Sequence, residues 1–239
     1  MPLNAHLVKR FPHFTIDVGF TCEAGQLLAF VGPSGAGKTS IIRMLAGLQT
    51  PDTGLISHDH RDWFDSETGS NLPPQQRQLG YVFQDHTLFP HLSVEKNIAF
   101  AAGDQSRVEE LLNLFKISEL RKRKPNRISG GERQRVALAQ ALASDPKVLL
   151  LDEPFSALDI LTRKQLRKEL KELKKSLDIP ILLVTHDLDE AMYLADHVLP
   201  IDRGVITRDW LTRMLPERNP SEDALRLVNI AKSSHQQYR

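Results

Sequence analysis

The sequence predicts an α/β fold with a mostly parallel core sheet. Short apolar runs, which are typical of buried strands, alternate with segments whose apolar residues recur at helical spacing. Three strand–helix pairs carry this pattern: residues 26–31 with 39–48, 147–152 with 162–177, and 179–185 with 188–195. Because such pairs place parallel strands side by side, ligands are expected at the carboxyl ends of the strands.

The composition fits one large domain and argues against several classes of protein. The 239 residues suffice for a core of their own, and the net charge of +1 gives no reason to expect nucleic acid as a partner. Cys22 is the only cysteine, so an internal disulfide is excluded and a reducing compartment is favoured. Apolar runs such as 148–151 are far shorter than the roughly 20 residues of a membrane span, and the N-terminus lacks a signal-peptide pattern. We expect a soluble chain that a partner could bring to a membrane.

Residues 3–31 are expected to form short strands. Leu7 and Val8 lie in the first strand, and the alternating run 14–18 forms the second. Gly25 interrupts the pattern just before the apolar run 26–31.

A phosphate-binding loop follows that apolar run. Residues 32–40 read GPSGAGKTS and fit the pattern GxxxxGK[ST], between a predicted strand and a predicted helix. Lys38 supplies a cation for the β- and γ-phosphates, and Thr39 offers a hydroxyl to Mg²⁺. A plain glycine-rich turn is the alternative, which the complete pattern disfavours. The predicted phosphate ligands are Gly32, Pro33, Ser34, Gly35, Ala36, Gly37, Lys38, Thr39 and Ser40.

The polar stretch 58–78 is interpreted as a solvated loop. It follows a strong turn signal at 50–54 and contains Pro73 and Pro74. Its histidines and aspartates match no known metal-ligand spacing. The run 80–83 is expected to be a strand that ends at Gln84, and residues 85–145 are largely helical in pattern.

Two acids close another apolar strand. Asp152 and Glu153 follow the run 148–151, which places both carboxylates at the ligand-binding edge of a parallel sheet. Asp152 is predicted to hold Mg²⁺, and Glu153 to polarise the water that attacks the γ-phosphate.

A second glycine turn precedes a helix at residues 128–136, which read ISGGERQRV. Its Ser129, Gly130 and Gly131 form an amide-rich anion site at the helix start. One ATP already has a cradle at the phosphate loop, so a second cradle makes sense if it serves ATP held by another copy. The alternative is a simple hinge before the helix.

Together these motifs resemble the ATP-binding subunits of ATP-binding cassette (ABC) importers, whose signature is Leu-Ser-Gly-Gly-Gln. Ile128 and Glu132 replace Leu and Gln here. The resemblance implies a P-loop nucleotide-binding domain over residues 1–215, with an N-terminal antiparallel β-subdomain and a helical subdomain inserted at about 86–145. It leaves residues 216–239 as a short helical tail without a regulatory domain.

The resemblance also assigns roles outside the loop. Gln84 would contact Mg²⁺ and the attacking water, and His186 the γ-phosphate. Asp159, in the turn 156–159, would make contacts across the dimer. Phe11 would stack on adenine, with Phe14 as the second choice. ATP and Mg²⁺ are thus the implied ligands.

The implied partners are a second nucleotide-binding subunit, transmembrane permease subunits and, indirectly, a solute-binding protein. The chain would lie peripherally on the cytoplasmic face of the inner membrane. Residues 85–91 are expected to receive the permease, with Leu88 and Phe89 as an apolar anchor, so Leu88→Asp is expected to uncouple transport while leaving basal ATPase activity.

The transported solute follows from finer resemblance alone. The stretches 63–77, 81–85 and 88–98 are most similar to molybdate import ATPases, and the sulfate, iron(III) and polyamine importers are alternatives. A soluble ABC ATPase of DNA repair would need a long coiled coil before the signature, and residues 50–128 show no sustained heptads. A module that binds ATP without hydrolysis is disfavoured because Glu153 and His186 are both present.

Overall fold

The computed structural model describes residues 1–84 and 88–207. The strands are β1 (Leu3–Arg10), β2 (Thr15–Cys22), β3 (Leu27–Val31), β4 (Thr53–His58), β5 (Arg61–Asp65), β6 (Ser70–Asn71), β7 (Leu79–Val82), β8 (Val148–Asp152), β9 (Ile181–Thr185), β10 (His197–Asp202) and β11 (Val205–Ile206). The α-helices are α1 (Lys38–Leu45), α2 (Val94–Ala99), α3 (Gln105–Leu114), α4 (Gly130–Leu142), α5 (Ile160–Lys174) and α6 (Leu188–Leu194). The expected tail helix at 216–239, and residues 85–87 of the expected permease contact, lie outside the described residues.

The core sheet is parallel, as the sequence predicts. Strands run in the order β10-β3-β9-β8-β7, and every neighbouring pair is parallel. All five residues of β3, β8 and β9 are buried. Alternate residues of β3 face opposite sides: Leu28 and Phe30 pack with α1, while Leu27 and Val31 pack on the side of α4, α5 and α6. The sheet is therefore covered on both faces, and its carboxyl edge is left for ligands.

An antiparallel unit flanks this core. β1 pairs with β2 and β4, and β5 and β6 extend it outward. The hairpin β10–β11 joins it to the parallel strands, because β11 also pairs with β2. The turn of this hairpin has Arg203 and Gly204 at positive φ.

The interpretation of residues 58–78 as a solvated loop is wrong. This stretch contains β5, β6 and a 3₁₀ turn at Pro74–Gln76. Trp63 and Phe64 pack into the core on the α1 side, and Arg77 is only 1% exposed. Burial of two aromatic rings stabilises strands here despite the polar composition of their neighbours.

The helical segment after β7 forms its own packed layer. Residues from α2, α3 and α4 share one apolar cluster, and Leu88 belongs to it with 8% exposure. Leu88 is therefore a core residue, which corrects the expectation that it anchors a partner. Leu88→Asp would place a charge in this cluster and destabilise the layer.

No helix among the described residues is long and apolar enough to cross a membrane.

Candidate functional site

The phosphate loop has the predicted strand–loop–helix context. β3 ends at Val31, and α1 begins at Lys38 after an N-cap, Gly37, whose φ is 100°. A Cβ on Gly32 would lie 2.0 Å from the carbonyl oxygen of Ile201, so this position needs glycine. The start of α1 thus presents backbone N–H groups at the carboxyl edge of the sheet.

Lys38 reaches back along the loop. Its Nζ donates to the carbonyl oxygens of Gly32 at 2.8 Å and Pro33 at 2.9 Å, and the residue is 4% exposed. Burial lowers the pKa of this ammonium, while the carboxylates of Glu153 and Asp152 act in the opposite direction. The cation is held beside the loop amides, where phosphate oxygens would lie.

Asp152 lies at the end of β8 and joins two neighbouring elements. Its Oδ1 accepts a hydrogen bond from the Thr39 hydroxyl at 3.0 Å, and its Oδ2 accepts one from the Tyr81 hydroxyl at 3.1 Å. Burial raises the pKa of Asp152, opposed by these two hydrogen bonds. Three oxygen-bearing side chains therefore meet next to the phosphate loop.

The sequence did not indicate that Tyr81 contacts Asp152. Burial, with the adjacent Asp152 carboxylate, raises the pKa of its phenol, so it stays a neutral donor to Asp152. Its strand was predicted, but no signal in the sequence says that β7 lies beside β8, where Tyr81 is the register partner of Leu150.

The side chains of Glu153 and Asp152 point to different partners at the end of β8. The φ of Glu153 is 46°, in the left-handed region that non-glycine residues rarely adopt. Its Oε2 lies 3.0 Å from Nδ1 of His186, the residue that follows β9. The change of backbone direction aims Asp152 at Thr39 and Glu153 at His186.

One cavity of about 480 Å³ brings most predicted residues together. Its lining comprises Phe11, Phe14, Ser34, Gly35, Ala36, Gly37, Lys38, Thr39, Ser40, Gln84, Glu153 and His186. The strands β7, β8 and β9 thus deliver Gln84, Glu153 and His186 to the same edge.

The aromatic pair Phe11 and Phe14 lies on the wall of this cavity. Their rings are stacked, with centroids 5.0 Å apart and an interplanar angle of 12°. Phe11 N–H donates to the Phe14 carbonyl at 2.9 Å, which closes the turn between β1 and β2. Both rings are partly exposed, so the wall offers an apolar stacking surface.

Ser129, Gly130, Gly131 and Asp159 do not line this cavity. Ser129 is the N-cap of α4 in a capping box with Glu132, and Asp159 is the N-cap of α5. The two turns pack together, since a Cβ on Gly130 would lie 3.2 Å from Leu158 Cδ2 in the turn 156–159. With Ser129 and Asp159 exposed, they form one surface distinct from the cavity.

A family model described as ABC transporter matches residues 16–156. The chain belongs to the ABC transporter family. Similar members include the sulfate/thiosulfate import ATP-binding protein CysA 2 of Agrobacterium fabrum, 44% identical over 95% of this chain and 68% of the relative. A probable sulfate/thiosulfate import ATP-binding protein CysA of Chlorella vulgaris is 44% identical over 85% of this chain and 88% of the relative. The spermidine/putrescine import ATP-binding protein PotA of Bacillus thuringiensis is 43% identical over 82% of this chain, which spans 59% of that relative.

Solved structures of ABC family members confirm the predicted fold class. A dimeric structure of the ATP-binding cassette MJ0796, in a post-hydrolysis state bound to ADP and Pi, matches with a TM-score of 0.71 at 26% identity, over 87% of this chain and 97% of that one. The ADP conformation of MJ1267, a cassette of an ABC transporter, matches with a TM-score of 0.75 at 23% identity, over 94% and 99%. The chain has the P-loop nucleotide-binding fold of ABC cassettes, with a parallel core, an antiparallel flank and a helical layer.

Proposed function

We propose that the chain is the ATP-hydrolysing subunit of an ABC importer. The observation that carries the proposal is the meeting of Lys38, Asp152, Glu153 and His186 around one phosphate loop. The loop amides and Lys38 would bind the polyphosphate of ATP, and Phe11 or Phe14 would stack on the base.

The residues fit a Mg²⁺ ion. Thr39 Oγ1 and Asp152 Oδ1 lie 3.0 Å apart, and both are the hard oxygen ligands that this cation prefers. Thr39 and Asp152 would hold the ion, with Gln84, two residues after the end of β7, as a further oxygen ligand. Bound Mg²⁺ neutralises developing phosphate charge.

Glu153 is the proposed general base. Its carboxylate would accept a hydrogen bond from the attacking water and orient it on the γ-phosphate. His186, whose Nδ1 lies 3.0 Å from Glu153 Oε2, would contact a γ-phosphate oxygen. Phosphoryl transfer needs mainly such positioning and charge stabilisation.

We propose that a second copy completes the site. The surface formed by the Ser129–Gly131 turn and Asp159 does not line the chain's own cavity, so it would serve ATP held by the other subunit. The dimeric form of the related cassette bound to ADP and Pi supports this arrangement.

The proposed transport partners are membrane permease subunits and a solute-binding protein, with this chain peripheral at the cytoplasmic face of the inner membrane. Residues 1–215 would form the nucleotide-binding domain. The relatives are named for import of sulfate/thiosulfate and of spermidine/putrescine, which favours these alternatives over molybdate. We take a sulfur oxyanion as the first candidate, because the first two relatives carry that name.

The test is uptake into proteoliposomes that hold the chain, its membrane subunits and its binding protein. Sulfate, thiosulfate, molybdate and spermidine are compared with MgATP inside. ATP-dependent uptake of sulfate or thiosulfate alone supports the full proposal. Spermidine or molybdate uptake would replace only the solute. Absence of ATP hydrolysis by the assembled complex would refute the catalytic role.

Phe100→Ser should uncouple transport. The Phe100 ring is 68% exposed at the end of α2, and its centroid lies 4.6 Å from that of Phe89. This pair, rather than the buried Leu88, is the apolar surface offered to a permease. We expect uptake to fall about tenfold, as for a hot-spot residue, while basal ATPase activity is kept.

Leu114→Ser is the matched control for Phe100→Ser. Leu114 is also apolar and 48% exposed, but it lines a groove beside α5. Equal uptake by the two variants would show that Phe100 has no special part in coupling.

A further inference from the structure

Two arginines on α5 converge on one aspartate. Arg167 Nη2 donates to Asp187 Oδ2, and Arg163 Nη1 lies 3.8 Å from the same oxygen. Arg167 also donates to Glu190 Oε2, from Nε at 3.0 Å and from Nη2 at 2.7 Å. The two arginines are one helical turn apart, so both reach the start of α6.

Asp187 fixes the backbone next to His186. Its Oδ1 accepts from Glu190 N–H at 3.0 Å as the N-cap of α6, and its own N–H donates to Thr185 Oγ1 at 3.0 Å. Hydrogen bonds therefore fix the positions of Thr185 and Asp187, the two neighbours of His186 in the sequence. The direction of the imidazole toward Glu153 depends on this short segment.

The turn 156–159 leads directly into the start of α5. Arg163 Nη2 donates to the carbonyl oxygen of Leu158 at 3.1 Å, and Asp159 caps the first turn of α5. Arg163 therefore contacts both the turn that precedes α5 and the aspartate that follows His186. A displacement of this turn would be transmitted to Asp187 through the side chain of Arg163.

We propose that Arg167, supported by Arg163, is a positioning residue that orients His186 on Glu153 and makes this orientation responsive to the turn 156–159. The inference rests on the proposed function, in which a second copy contacts that turn. Contact of the second copy with this turn would then change the geometry of the His186–Glu153 pair through Arg163 and Asp187.

A contribution to folding stability does not by itself explain this cluster of two arginines and two acids. Arg167 and Glu190 side chains are 15% and 4% exposed, and replacing a buried ion pair by apolar residues is often neutral or stabilising. A comparison lies two turns along α5, where Lys174 is also 15% exposed and pairs with Asp196. Asp196 accepts from Leu27 N–H, so this pair ties α5 to β3 and not to His186.

The experiment compares Arg167→Met with Lys174→Met. ATP turnover and ATP affinity are measured on the assembled transporter, and the His186 imidazole signals are followed by NMR on the full chain, assigned with His186→Gln. We expect Arg167→Met to lower kcat about 10- to 100-fold, the range for a small misplacement of a catalytic group, with ATP affinity kept. Its His186 signals should shift, and those of Lys174→Met should match the wild type.

Two further variants keep the inference testable if Arg167→Met does not fold. Asp187→Asn keeps an N-capping side chain but removes the charge that both arginines bind, so it should shift the His186 signals even if Arg167→Met fails to fold. Arg167→Lys should recover part of kcat, since it keeps one cation without the two-pronged geometry. Unchanged His186 signals in both Arg167→Met and Asp187→Asn would overturn the inference. A wild type without ATP turnover would refute the proposed function instead, and the imidazole signals would still decide the role of Arg167.

Discussion

Glu153→Gln should lower ATP turnover by about 10²- to 10⁴-fold, the usual contribution of a general base. The amide keeps the size of the side chain and a hydrogen-bonding oxygen near His186, but it cannot take up a proton. Lys38, Thr39 and Asp152 are untouched, so ATP should still bind with wild-type affinity. Phosphate release under saturating MgATP, together with a binding titration, checks both halves of this result.

The same variant should accumulate as a dimer. If two copies close around ATP, loss of hydrolysis removes the step that reopens them, and light scattering with MgATP should report twice the mass of one chain. Glu172→Gln is the control, since Glu172 is an exposed carboxylate paired with Lys175 on α5. Turnover by Glu153→Gln equal to that of this control would show that another group activates the water.

Arg77→Met should cause a large loss of stability. The guanidinium donates to the carbonyl oxygens of Met44 and Leu45, both at 2.8 Å, and to that of Leu72 at 2.9 Å. The first two belong to the last turn of α1, whose carbonyls carry partial negative charge, and the Met44 carbonyl also accepts from Gly47 N–H at 3.1 Å. Burial lowers the pKa of Arg77 to about 10, so it remains charged at neutral pH.

Removing this side chain takes away the donor that it supplies to the carbonyls of Leu45 and Leu72, while Met44 keeps its bond from Gly47 N–H. We expect a loss of about 3 kcal/mol in the free energy of unfolding, at roughly 1–3 kcal/mol per unsatisfied group, and a fall in Tm of about 6–12 °C for a chain of this size. Calorimetry against Arg61→Met, an exposed arginine in β5, measures the difference. Equal Tm values for the two variants would mean that water replaces the guanidinium without cost.

The parts of the site that were predicted are those encoded in short stretches. The phosphate loop, the acids after β8 and the histidine after β9 each follow an apolar strand, and parallel strands bring their ends to one edge. The contact between Thr39 and Asp152 joins residues 113 positions apart, yet it follows from the order of two such motifs.

The parts that were missed depend on tertiary packing. Arg77 looked like a loop residue because its partners are carbonyls of α1, about thirty residues earlier in the chain. The contact of Tyr81 with Asp152 could be predicted only from the order of the strands. The burial of Leu88 could be predicted only from the packing of α2 against α4. On α5, Glu172 pairs with Lys175 at the surface, whereas Arg167 reaches α6, and no periodicity in the sequence could indicate that contact.

The left-handed backbone of Glu153 has a consequence over evolutionary time. This conformation costs a non-glycine residue about 1–2 kcal/mol, and glycine or asparagine adopts it with less strain. A lineage selected only for heat resistance would therefore replace the carboxylate and gain stability. A lineage that no longer used hydrolysis would drift the same way. If Glu153 is the general base that we propose, its strained backbone is a stability cost that the chain bears for the sake of hydrolysis.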